Sequence, residues 1–150
     1  MAKLPLPQTG NTITHSDDSY KVTKSGTTNG TVQYSATKKL KTTITIPDTV
    51  TINGITYKVT TVSKNAFKNN KKLKKVIIGK NVTKIEANAF SGCKNLKAIT
   101  VKSTKLKSVG KNAFKGIHKN AKIKVPASKL KKYKKLMGKK GQKSTVKIIK

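Results

Sequence analysis

The sequence is short of acid, of arginine, of tryptophan and of cysteine, and each shortage removes a class of chemistry. Its 150 residues hold Asp17, Asp18, Asp48 and Glu86 as the whole acidic complement, opposite 35 basic side chains. Every one of those 35 is lysine. Without the planar guanidinium fork, bidentate reading of phosphate or guanine edges is disfavoured, since lysine is a mobile point charge. Cys93 stands alone, which excludes an internal disulfide and a cysteine-based zinc cluster. No apolar run reaches the 18 or more residues that a membrane-spanning helix needs, and Met1-Ala2-Lys3-Leu4-Pro5 contains no hydrophobic signal core. An export signal, if the protein is exported, is expected outside this chain. There is no Trp and the apolar fraction is 34%, so a core has to be drawn economically from Ile, Val, Leu, Ala and three Phe.

The excess is positive charge, formally +31 at neutral pH. Such a surface attracts polyanions through long-range, salt-sensitive forces; teichoic acid, glycosaminoglycan, non-specifically bound nucleic acid and acidic protein surfaces all qualify. A solvated coat that keeps the chain soluble is the blander reading.

Repetition decides the architecture. Asn65-Ala66-Phe67 recurs as Asn88-Ala89-Phe90 and Asn112-Ala113-Phe114, at steps of 23 and 24 residues. Other apolar positions keep the step: Leu73 and Leu96; Val76, Ile99 and Ile123; Ile78, Val101 and Val125; Val59, Val82 and Leu106; Val62, Ile85 and Val109. Around Val76-x-Ile78 and Ile99-x-Val101 the apolar residues alternate, which marks one short half-buried strand per unit. Units stacked at a fixed step set these strands side by side in parallel, and their inward residues merge into a core that no single unit could bury. Phe67, Phe90 and Phe114 then form an aromatic spine on the returning side.

The stretch Val82-Thr-Lys-Ile-Glu-Ala-Asn-Ala-Phe-Ser-Gly-Cys-Lys-Asn-Leu-Lys-Ala-Ile-Thr-Val101 resembles the BspA-like leucine-rich repeat, V-T-x-I-x-x-x-A-F-x-x-C-x-x-L-x-x-I-x-I. The resemblance covers 59–125 and implies a curved solenoid on secreted and surface proteins of bacteria and some protists, used for adhesion and binding. The third copy departs from the pattern, with Ile117 in place of Cys93 and no leucine where Leu96 stands, which predicts the end of the array.

The expected fold is therefore a β-rich α/β-type solenoid, a short leucine-rich-repeat array with parallel strands, an N-terminal β-hairpin cap and a C-terminal helical cap. Residues 1–19 read as a flexible leader, 20–58 as the N-terminal β cap, 59–125 as repeats and 126–150 as the C-terminal cap. In the N-terminal cap Tyr20–Val22 and Thr31–Tyr34 form one hairpin, and Asn53-Gly54 is the preferred turn pair of a second. In the C-terminal cap a helix over 128–137, capped by Ser128, turns Leu130, Tyr133, Leu136 and Met137 to one side, and Val146–Ile149 supplies an edge strand.

Catalytic constellations are nearly absent. Glu86 and Asp48 fall at different repeat heights, too far apart for an acid/base pair, and Asp17 and Asp18 lie in the leader. Cys93 with His118 is the one formal nucleophile pair, and a packed core thiol is the simpler reading of Cys93. Leu6-Pro7-Gln8-Thr9-Gly10 spells the sortase pentapeptide of Gram-positive wall anchoring, but neither an apolar span nor a basic tail follows it, so anchoring is not expected from it here. No enzyme activity, cofactor or metal is expected.

Binding residues follow from strand geometry. Side chains between the core positions point out of the sheet: Lys75 and Ile77, Ala98 and Thr100, Lys122 and Lys124. The competing surface is the lysine-rich C-terminal helix, with Lys131, Lys132, Lys134 and Lys135, together with Lys139, Lys140 and Lys143, which carries denser charge but less shape. The sequence thus predicts a monomeric, non-catalytic interaction module at the cell surface or outside the cell, binding protein or anionic polymer. A passive spacer or wall-associated stalk is the alternative.

Overall fold

A computed structural model describes residues 7–37 and 40–150. In chain order the strands are β1 (Thr12–His15), β2 (Asp18–Lys24), β3 (Thr31–Thr37), β4 (Thr43–Ile46), β5 (Thr49–Ile52), β6 (Ile55–Val62), β7 (Lys75–Ile78), β8 (Lys84–Ile85), β9 (Ala98–Val101), β10 (Ser108–Val109) and β11 (Lys122–Lys124). A 3-10 turn (Ala127–Lys129), helix α1 (Leu130–Met137) and strand β12 (Lys147–Ile149) complete the described chain. It is a β-solenoid with two sheets. One runs β1-β2-β3-β6-β8-β10, with β5 hairpinned onto β6; the other runs β12-β11-β9-β7-β4.

Every pairing in the second sheet is parallel, as expected when each coil delivers one strand. Ile44, Val76, Ile99, Ile123 and Ile148 occupy one register row across it, facing inward. Val62, Ile85 and Val109 form the matching row of the first sheet. Removing an Ile or Val side chain from water stabilises by about 1.5–3 kcal/mol, so each row is a continuous source of stability that a lone repeat could not provide.

The spine is present and longer than the sequence repeat suggested. Phe67 stacks on Phe90 with centroids 5.3 Å apart, and Phe90 on Phe114 at 6.0 Å. Tyr34 extends the pile at 5.3 Å from Phe67, and Tyr20 closes it edge-on at 5.4 Å from Tyr34. The turns before each Phe need a left-handed residue, and Asn65, Asn88 and Asn112 supply it at φ of 61°, 59° and 57°. Asparagine tolerates that conformation because its short amide bonds locally. Backbone bonds knit successive turns: Phe67 N–H donates to the Ala89 carbonyl at 2.8 Å, and Phe90 N–H to that of Ala113 at 2.9 Å.

Four expectations change. Thr12–His15 pairs antiparallel with β2, and Gly10 and Asn11 exchange backbone hydrogen bonds with Val22, so the flexible leader over 1–19 does not hold for residues 10–19; the hydrogen-bonded edge orders them. The inward ladder also starts before residue 59. Ile44 and Ile46 of β4 pair in register with Val76 and Ile78. The hairpin β5–β6, turning at Asn53 (φ 53°) and Gly54 (φ 79°), lengthens that coil and breaks the periodicity in the sequence. Ser128 does not cap α1, since it sits inside the 3-10 turn and no side-chain cap hydrogen bond forms at either helical start. The missing leucine of the third copy is replaced one residue later, where Ala121 is fully buried and Asn120 is exposed. Of the sortase-like pentapeptide, Leu6 lies outside the described residues. Its remainder forms a turn in which Asn11 N–H donates to the Gln8 carbonyl at 3.0 Å and Gly10 N–H to that of Val22 at 2.8 Å.

The C-terminal segment closes the coil by imitation. Phe114 N–H, which has no fourth repeat to meet, donates to the Lys140 carbonyl at 3.0 Å. Helix α1 buries Tyr133 and Met137 and packs Leu130 and Leu136 partly against the core.

Candidate binding surface

The outward positions of the second sheet line up in two rows. One reads Thr43, Lys75, Ala98, Lys122, Lys147; the other Thr45, Ile77, Thr100, Lys124, Ile149. Neighbouring strands lie roughly 4.8 Å apart, so Lys122 and Lys147 are adjacent along the axis, while neutral Ala98 separates Lys122 from Lys75. The lysines are exposed, and Ile77 and Thr100 are half-buried. Lys75, Ile77, Thr100, Lys122 and Lys124 therefore share one sheet face. Lys147 and Ile149 belong to it as well, and the sequence reading missed them. The signal was faint: Ile148 falls 25 residues after Ile123, one more than the longest step between the intact copies, and the motif around it had decayed.

The helix lysines divide between two grooves. Lys131, Lys132 and Lys135 line one of about 610 Å³ with Ser128 and Leu136. Lys134 lines another, of about 370 Å³, together with Gly138, Lys139, Gln142, Lys143, Ser144, Val146 and Ile148. Acid is scarce around all of them. Among the described residues ion pairs form at Lys41–Asp17 and Lys80–Asp48, 3.6 and 3.8 Å long. Asp48 is otherwise structural, its carboxylate accepting the Lys80 N–H at 2.7 Å and its carbonyl the Asn81 side-chain amide at 2.9 Å.

The titrating groups that depart from their ordinary behaviour are buried ones. Desolvation pushes the Cys93 thiol up to about 11, although it is opposed by a backbone hydrogen bond. Its Sγ donates to the Phe67 carbonyl at 3.0 Å, while His118 Nδ1 accepts the Asn120 N–H at 3.0 Å. Burial raises Tyr34 strongly, helped by its 2.6 Å hydrogen bond to Asp18, and takes Tyr20 to about 12. A thiol held protonated is a poor nucleophile. Among the described residues no three His, Cys, Asp or Glu gather into a metal-binding group, and no helix is long and apolar enough to cross a membrane.

Parallel inward ladders, asparagine-turned coils and a stacked phenylalanine spine define a leucine-rich-repeat solenoid. The chain belongs to the BspA type leucine rich repeat region family, whose pattern matches residues 60–145, running beyond Val125 into the segment that imitates a further coil. A leucine-rich cell surface protein of Faecalibacterium prausnitzii shares the fold with a TM-score of 0.63 and 20% identity, over 93% of this chain and 43% of that one. A leucine-rich repeat protein of Bacteroides capillosus aligns with a TM-score of 0.66 and 18% identity, over 93% and 98% of the two chains. The pneumococcal vaccine antigen PcpA aligns with a TM-score of 0.55 and 19% identity, over 81% of this chain and 42% of that one. The chain thus spans less than half the length of the Faecalibacterium protein and of PcpA. No curated protein matches it significantly in sequence.

Proposed function

We propose that the chain is a non-catalytic, extracellular or cell-surface interaction module that binds an anionic partner, an acidic protein surface or an anionic polymer, through its lysines. The observation that carries this reading is the imbalance at the surface: four carboxylates cannot neutralise 35 lysines, and among the described residues no lysine is buried, so the solenoid carries them on its outside. Membership of the repeat family and the fold shared with a leucine-rich cell surface protein support the location. The sheet face carrying Lys75, Ile77, Thr100, Lys122 and Lys124 offers shape, and Lys131, Lys132, Lys134 and Lys135 on the helix offer charge density. Each lysine that neutralises an anion releases counterions, so affinity for heparin or teichoic acid falls steeply as salt rises. Titration of heparin at increasing salt tests this, with charge reversal at Lys122, Lys124, Lys131, Lys132, Lys134 and Lys135 lowering both affinity and salt slope. Binding indifferent to salt and to those reversals would leave the module a spacer.

A further inference from the structure

Among the described residues the second sheet ends at β12. β12 pairs with β11 on one side only, and Lys147 N–H donates to the Ala121 carbonyl while Val125 N–H donates to that of Ile149. In a parallel ladder hydrogen bonding alternates along the strand, so with 147 and 149 turned to β11, the N–H and C=O of Ile148 point away from it. Beside that edge lies the groove of about 370 Å³ between α1 and β12, floored by Val146 and Ile148 and rimmed by Lys134, Lys139, Lys143 and Ser144. The apolar floor, the unpaired backbone and the cationic rim occupy the place where another coil would continue.

We propose that this end of the solenoid captures an extended acidic peptide segment of a partner protein, which adds as a strand beside β12. The inference rests on the anionic-partner reading and specifies its place and form. Strand addition takes affinity from main-chain hydrogen bonds and specificity from alternate side chains. Here the alternation suits a segment with apolar residues toward Ile148 and carboxylates toward the lysines. Charge selects the occupant. No Asp or Glu lies among residues 87–150, and the ion pairs formed by the described residues, Lys41–Asp17 and Lys80–Asp48, do not involve Lys134, Lys139, Lys143 or Lys147. A second copy, itself at +31, would bring like charge to the edge. Lysine on a short edge strand is the usual device against self-pairing, and it leaves an acidic strand free to enter.

The test uses a fluorescent synthetic peptide alternating Glu and Val, and a twin N-methylated at every residue, so that neither edge of the twin keeps a backbone donor. The twin keeps its charge and loses its ability to pair as a strand. The whole chain should bind the unmodified peptide about tenfold or more tightly than the twin, the factor expected for losing about one net hydrogen bond. Lys134→Glu, Lys139→Glu and Lys143→Glu together should abolish the difference. Ile148→Pro should also abolish it: of the backbone hydrogen bonds proline removes only the outward donor, it is tolerated on an edge, and Ile148→Val serves as the control for the trimmed side chain and should keep the difference. Circular dichroism checks that the proline variant folds; if it does not, the two peptides on the wild-type chain decide. Equal affinity for both peptides overturns the proposal, as does self-association on sizing or binding of heparin with no peptide binding. That last result leaves the broader anionic-partner reading standing, whereas failure of heparin and peptide alike removes both.

Discussion

The Tyr133 hydroxyl accepts a hydrogen bond from the Leu106 N–H at 3.0 Å and donates one to the Ser103 carbonyl at 2.8 Å. One phenol on the terminal helix thus satisfies two backbone groups of the last coil, both in buried residues. Ser103 uses its own hydroxyl on the Val82 carbonyl at 2.6 Å, so the network reaches one coil further back.

Tyr133→Phe should therefore cost about 1–3 kcal/mol, the penalty for leaving buried polar groups unpaired. Urea unfolding would show a lower midpoint at unchanged slope. A midpoint equal to that of the wild type would mean that water or a shifted backbone replaces the hydroxyl.

Phe90 has an aromatic ring on both sides, with planes 5° and 7° from its own. Phe90→Ala opens a cavity in the middle of the spine and should destabilise by about 3–5 kcal/mol. Phe90→Leu refills part of that volume and should cost less. The order of the two thermal midpoints checks the argument.

Asn88 holds a φ of 59° in the turn before Phe90. Asn88→Gly should be nearly neutral, while Asn88→Val forces a β-branched residue into the left-handed region at a cost of about 1–2 kcal/mol. Equal stabilities for the two variants would show that the turn can change its backbone conformation.

The Cys93 thiol is raised from its ordinary value of 9.0 to about 11, so the folded state holds this proton more tightly than the unfolded chain. Its contribution to stability is complete below pH 9 and is lost as pH rises toward about 11. Lysines change charge in the same range, so the useful quantity is the stability difference between wild type and Cys93→Ala, which should shrink across that window. At pH 8 iodoacetamide should modify Cys93 only after the protein is unfolded. Fast labelling of the native protein would contradict the buried hydrogen bond to Phe67.

Where the repeat is intact, the sequence was sufficient. Val76, Ile99 and Ile123, or Phe67, Phe90 and Phe114, recur at steps of 23 and 24 residues, and a nearly constant step in a stacked chain means an equivalent position in space. Where an insertion intervenes, the same geometry is invisible. Ile44 belongs to the row of Val76, and Tyr34 to the spine of Phe67, yet the hairpin of β5 and β6 lengthens the interval and hides both. The candidate binding residues were legible as outward strand positions by alternation alone. The division of the helix lysines between two grooves was not, because it depends on how α1 lies against β12.

By itself the sequence determined the solenoid, its family and its charge, since these depend on periodicity and composition, which are properties of the chain in one dimension. The tertiary structure decided which backbone groups close the last coil, that residues 12–19 pair as an edge, and that β12 lies beside a lysine-rimmed groove. Those outcomes rest on contacts between segments with no shared period, and only packing in three dimensions selects among the ways such segments can meet.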